Sequence, residues 1–149
     1  MNYFYLHNQS MLPRDVLFQI SIDISNFHNI MPEYFKSLEL LCGDPSEKFV
    51  LESIEFFGRC LHIKTKHVIA HPDFHQVIIL NGPLKGTIFS EKYTLSSFGT
   101  DIDISINLQL NGILKFIPFL KCLIIKKMNS VMTEFVTCAE NYVQSNLSK

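Results

Sequence analysis

Hydrophobic and polar positions change period twice along this chain. From Asn2 to Ser10, Tyr3, Tyr5 and His7 alternate with Phe4, Leu6 and Asn8, a period of two that predicts a strand with both faces at least partly covered. The spacing then turns helical. Pro13 suits a first helical turn, and Val16, Leu17 and Ile20 recur on one side, which predicts a short helix over Pro13–Ser21. A second short helix is expected to start near Ser25, whose hydroxyl can cap it, and to stop at Pro32, because proline disfavours helical backbone in the residue ahead of it.

Period two returns between Tyr34 and Leu110. Strands are expected over Tyr34–Leu41, Lys48–Phe57, Arg59–Ala70, Phe74–Asn81, Lys85–Ser96 and Thr100–Leu110, broken by turn residues at Gly43–Ser46, Gly58, His71–Asp73, Gly82–Pro83 and Phe98–Gly99. Links this short predict antiparallel pairing of successive strands. The last segment is helical: Leu120, Ile124, Met128, Val131, Phe135, Cys138 and Tyr142 form one apolar stripe, with Asn129, Thr133, Thr137 and Glu140 on the opposite side. Pro118 fits a first turn, so the regular helix is expected to begin near Ile117, with Asn111–Phe116 as its apolar approach.

Composition narrows the function classes. The chain has 149 residues, of which 47% are hydrophobic and 18% charged, enough apolar material for one well-buried domain over 1–149. Net charge is -1 and the 13 Lys and Arg are scattered, so no basic row exists to neutralise phosphates and nucleic acid is not an expected partner. The most apolar stretch, "LKFIPFLKCLIIKKM" from Leu114 to Met128, is interrupted by lysines and holds no apolar run longer than Phe116–Leu120. A transmembrane helix needs about 20 such residues, so no transmembrane segment is expected, while transient contact with a membrane surface stays compatible with the pattern. The start "MNYFYLHNQSMLPRD" lacks the pattern of a secretory signal, and the expected location is cytoplasmic. Cys42, Cys60, Cys122 and Cys138 form no C-x-x-C pair and no zinc spacing; they are read as reduced packing residues.

The order of strand, two short helices, six strands and a long final helix resembles the helix-grip fold of the START-like (SRPBCC) superfamily. That group includes Bet v 1-like proteins, polyketide cyclases and aromatases, lipid-transfer START domains and coenzyme Q-binding proteins. The local matches are "DISNFHNIMPEYFKSLELL", which looks like the helix pair that ends in proline and enters the second strand, and Gly112 ahead of the final helix. The resemblance implies an α+β fold: a curved seven-stranded antiparallel sheet gripping the C-terminal helix, with a cavity between them. On that reading Phe116, Phe119, Leu123 and Ile125, which lie off the helix stripe, form a cavity mouth or pack on the short helices or a dimer partner.

Strand alternation selects the polar groups that face inward. Ile102, Ile104, Ile106, Leu108 and Leu110 share one face of their strand. Thr87, Phe89, Glu91, Tyr93 and Leu95 share a face of theirs, which puts Glu91 among aromatic residues, where a carboxylate is costly unless paired. It either anchors a ligand or moves a proton, or it sits near the strand end and reaches water. Thr65 and His67 lie on the apolar face of Arg59–Ala70. Alternation assigns neither His75 nor Gln76 inward, and of Glu52 and Glu55 one is expected to face in. His67, His71 and His75 are four apart, but Pro72 and the flanking strands argue against the helix a metal site would need, so no metal is expected. "GPLKGT" lacks the spacing of a phosphate loop, and no nucleophile elbow is present.

The leading expectation is binding, with a transport role open, of a hydrophobic or amphipathic small molecule such as a lipid, isoprenoid quinone or polyketide. His67, Thr65, Glu91 and Tyr93 would orient it, and Phe89, Ile104, Ile106, Leu120, Ile124, Met128 and Phe135 would line the site. No cofactor is called for. Two other readings stay open: a cyclase or dehydratase-like enzyme using Glu91 or His67 as general acid or base, and a protein-interaction module, as monomer or homodimer.

Overall fold

The computed structural model describes residues 2–148. Seven strands form one antiparallel sheet: β1 (Tyr3–Ser10), β2 (Phe35–Gly43), β3 (Glu47–Phe56), β4 (Arg59–Ala70), β5 (Phe74–Ile79), β6 (Ile88–Ser96) and β7 (Gly99–Asn107). Their spatial order is β1-β7-β6-β5-β4-β3-β2, so strands β2 to β7 meander and β1 returns to pair with β7. Between β1 and β2 run helix α1 (Arg14–Ile22), a 3-10 turn at Ile24–Asn26 and the single-turn helix α2 (Phe27–Ile30). The 28-residue helix α3 (Leu120–Leu147) closes the chain. This is the helix-grip architecture that the element order implies.

The alternation of β7 explains why the sheet has a wet and a dry side. Ile102, Ile104 and Ile106 are buried against Ile124, Val131, Phe135 and Ala139 of α3 and against Leu17 and Phe18 of α1, within one apolar cluster. Asp101 and Asp103 face out, where they meet Gln9 and His7 across the β1–β7 pair. The α3 stripe behaves likewise: Ile124, Val131 and Phe135 are buried, while Leu120, Met128, Cys138 and Tyr142 are partly buried against the same cluster.

Several local expectations are corrected. The outer face of β1 is open among the described residues, with Tyr5 78% exposed. Leu95, expected inside, lies at the β6–β7 hairpin end and is exposed. The second helix begins as a 3-10 turn, and Ser25 makes no cap hydrogen bond. Helix α3 starts three residues later than expected: Ile117, immediately before Pro118, is extended at φ -82 and ψ 114, and Phe119 is left-handed at φ 64. Steric conflict with the proline ring keeps Ile117 out of the helical region, so Pro118 ends the approach instead of opening the helix. Cys42, Cys60 and Cys122 are exposed and only Cys138 is partly buried, so the first three are not packing residues. The turn residues Phe57 and Gly58 both have positive φ, the backbone of a type I′ hairpin that matches the twist of β3 and β4.

Candidate functional site

Between the inner face of the sheet, α2 and α3 lies a cavity that leaves about 170 Å³ open to the centres of water-sized molecules, room for on the order of ten of them. Its wall is mostly aliphatic and aromatic. Phe89, Ile104 and Ile106 contribute from the sheet, and Ile124, Met128 and Phe135 from α3. The polar candidates Thr65, His67 and Glu91 line it too. Two expected lining residues do not. Leu120 packs at the start of α3 against the apolar cluster, outside the cavity wall. Tyr93 is fully buried behind the wall, edge-on to Phe18 at 5.5 Å, and its hydroxyl donates to Glu91 Oε2 at 3.0 Å. Its place is beside Glu91, not against the cavity.

The inward polar groups form a row across four neighbouring strands. Thr65 Oγ1 donates to Glu52 Oε1 at 3.1 Å, and His67 Nε2 lies 3.0 Å from the same oxygen. On the other side of the ring, His67 Nδ1 meets His75 Nε2 at 2.9 Å, with the two rings stacked. His75 Nδ1 then lies 3.0 Å from Glu91 Oε1, with no aligned hydrogen bond at that nitrogen. His75 and Glu91 are directly opposed in the β5–β6 register, which is why they meet. All five side chains are buried, Glu91 the least at 9% exposure.

Sequence alternation does not single out Glu52 or His75. In β3 both alternation sets carry apolar residues, Phe49 and Leu51 on one and Val50, Ile54 and Phe56 on the other, so the pattern has no preferred inner face. The structure turns Val50, Glu52, Ile54 and Phe56 inward, and Glu55 outward to an ion pair with Lys36 at 3.4 Å. In β5 His75 faces in, and Gln76 faces out to Ser90. The one signal in the sequence is the inward His67 itself, since a buried imidazole calls for partners on the adjoining strands. His71 lies apart from the row, edge-on to Phe18 at 5.4 Å. No group of three or more His, Cys, Asp or Glu among the described residues is arranged to hold a metal ion.

Electrostatics follow from burial. Desolvation pushes His67 below the ordinary histidine pKa, against the hydrogen bond and charge of Glu52. Tyr93 is pushed up, first by burial and then by the charge of Glu91, and Tyr34 is raised by burial with Glu52 adding to it. A histidine whose pKa is lower folded than unfolded binds its proton more readily in the unfolded chain, so its stability contribution is lost as pH falls below about 6.5. Urea unfolding at about pH 7.5 and about pH 5.5 should therefore show a weaker fold in acid, and His67→Gln should flatten that decline. An equally steep decline in the variant would remove His67 from the explanation.

The off-stripe residues Phe116, Phe119, Leu123 and Ile125 do not line the cavity. Phe116 and Phe119 are about four-fifths exposed and Leu123 about half, whereas Ile125 packs into the apolar cluster. Among the described residues no helix is long and apolar enough to cross a membrane.

No family model matches the sequence, and no curated protein matches it significantly. Solved structures do match in fold over nearly the whole chain. Ara h 8.0201 superposes with a TM-score of 0.74 at 19% identity, covering 96% of this chain and 97% of that one. The Zhui aromatase/cyclase from Streptomyces sp. R1128 gives 0.75 at 11% identity over 95% and 94%. A START superfamily protein from Mycobacterium smegmatis gives 0.76 at 11% over 96% and 97%. The fold is therefore the helix-grip fold of Bet v 1-like and START-like proteins.

Proposed function

We infer that this protein binds a small, largely apolar molecule between the sheet and α3. The observation that carries the reading is the cavity itself, an apolar wall with one polar row set into it, the usual form of a small-molecule site. Fold neighbours that include Ara h 8 and START-type proteins support it. In this reading Phe89, Ile104, Ile106, Ile124, Met128 and Phe135 supply apolar contact, while Thr65, His67 and Glu91 orient the ligand. Tyr93 acts as a positioning residue for Glu91 through its hydrogen bond. Burial of ligand surface contributes about 25 cal/mol per Å² before the costs of association. The free volume favours a compact molecule over a lipid with two full acyl chains.

Titration with the neutral fluorophore N-phenyl-1-naphthylamine tests this. Saturable enhancement is expected, and Val131→Trp, which places an indole at the cavity wall, should weaken binding roughly tenfold, about 1.4 kcal/mol. Absence of saturable binding to the unaltered protein would sink the reading. A second reading, an enzyme of the cyclase or dehydratase kind with Glu91 or His67 as general acid or base, draws support from the buried carboxylate–histidine row and from the aromatase/cyclase neighbour. Glu91→Gln separates the two: it should abolish turnover of an enzyme but change affinity for N-phenyl-1-naphthylamine only modestly.

A further inference from the structure

Proton counting along the row shows what its ligand must supply. If His67 Nε2 donates to Glu52, then His67 Nδ1 is an acceptor and His75 Nε2 must donate to it. That leaves His75 Nδ1 bare and 3.0 Å from Glu91 Oε1, a lone pair facing an anion. One further proton, on the imidazole or on the carboxyl, relieves the repulsion. Two carboxylates and two neutral rings with that extra proton still carry a net charge of one negative unit, in a pocket where charge is poorly solvated.

Nothing else in the wall balances it. Among the described residues no lysine or arginine lines the cavity. Glu52 Oε1 takes the contacts from both Thr65 and His67, while Oε2 has no hydrogen-bond partner among the described residues, although Glu52 is 5% exposed and lines the cavity. A carboxylate oxygen without a protein donor, on a side chain that lines the cavity, is open to a donor from the ligand. The remaining wall offers aromatic rings, among them Phe27, Tyr34, Phe35, Phe56, Phe89 and Phe135, whose faces attract cations.

We propose that the ligand is a compact hydrophobic amine, held as its ammonium against Glu52 Oε2 with its apolar body in the aliphatic part of the cavity. The proposal rests on the cavity-binding reading and deepens it. A neutral hydroxyl would satisfy the free oxygen but leave the row's charge uncompensated. A carboxylate would add a second net negative charge to the same dry space, so anionic fatty acids are selected against.

Three molecules of one shape decide the matter by calorimetric titration near neutral pH: 2-naphthylmethylamine, 2-naphthalenemethanol and 2-naphthoic acid. The amine should bind at least tenfold tighter than the alcohol, and the acid should bind weakest. In Glu52→Gln the amine's advantage over the alcohol should fall to within about twofold. An alcohol equal to the amine, or an acid that binds best, overturns the proposal. So does a Glu52→Gln protein that keeps the preference for the amine. The comparison on the unaltered protein decides the charge preference even if the variant fails to fold. If N-phenyl-1-naphthylamine binds and none of the three does, the amine assignment falls and the cavity reading stands. If the fluorophore also fails to bind, the cavity reading falls first.

Discussion

Replacing His67 with leucine should destabilise the protein by about 2–4 kcal/mol, because it breaks the buried row at its centre. The change removes the nitrogen facing Glu52 and the one facing His75 together. Leucine fills most of the space and contributes up to about 2 kcal/mol of apolar burial. Glu52 keeps only Thr65 as a donor in a dry wall, and that cost exceeds the gain. Adding Glu52→Leu to His67→Leu should recover stability relative to the single variant, since the stranded charge is removed with its partner. Urea unfolding of the four proteins in this cycle measures the coupling. Simple additivity of the two losses would show that the pair does not interact as its 3.0 Å contact implies.

Gly99→Ala should cost about 4 kcal/mol, through a different cause. Gly99 opens β7 with φ +157, and a Cβ there would lie 2.1 Å from the carbonyl oxygen of Ser10 and 2.9 Å from backbone carbon of Met11. Both obstacles are main chain, so neither can rotate away, and overpacking adds about 1–3 kcal/mol to a backbone strain of about 1–3 kcal/mol. The end of β1 would have to move off β7, weakening the pairing of Ser10 with Thr100. Gly58 is the control. It also has positive φ, at +74, but nothing lies within 4 Å of its added Cβ. Gly58→Ala should therefore cost only about 1–2 kcal/mol, the left-handed penalty by itself. Thermal or urea unfolding of the two variants side by side tests this, and equal losses would refute the clash.

How much of the fold is legible in the sequence depends on whether a segment has one clearly apolar side. β7 has one, and alternation alone assigns its isoleucines inward; α3 has one, and its stripe from Ile124 to Phe135 meets the sheet. β3 and β5 do not, because both of their faces carry apolar residues, so alternation cannot assign Glu52 or His75. The start of α3 is ambiguous for another reason. Proline is compatible with the first turn of a helix and also with an extended residue before it, and only the packing of the approach chooses the second.

Local pattern therefore determined the elements, their order and the polar identity of Thr65, His67 and Glu91 on apolar faces, because side-chain period is a property of neighbours in the chain. The tertiary structure decided which of these groups touch. Strand register sets His75 opposite Glu91, while Glu52 on β3, whose register partner is Ile63, reaches along the sheet to His67 on β4 across fifteen positions of sequence. Register is fixed by the sum of many pairings along the sheet, and no single segment contains that information. The charge of the row and the lack of a basic group among the described residues of its cavity wall follow from that assembly, and with them the kind of ligand the site would accept.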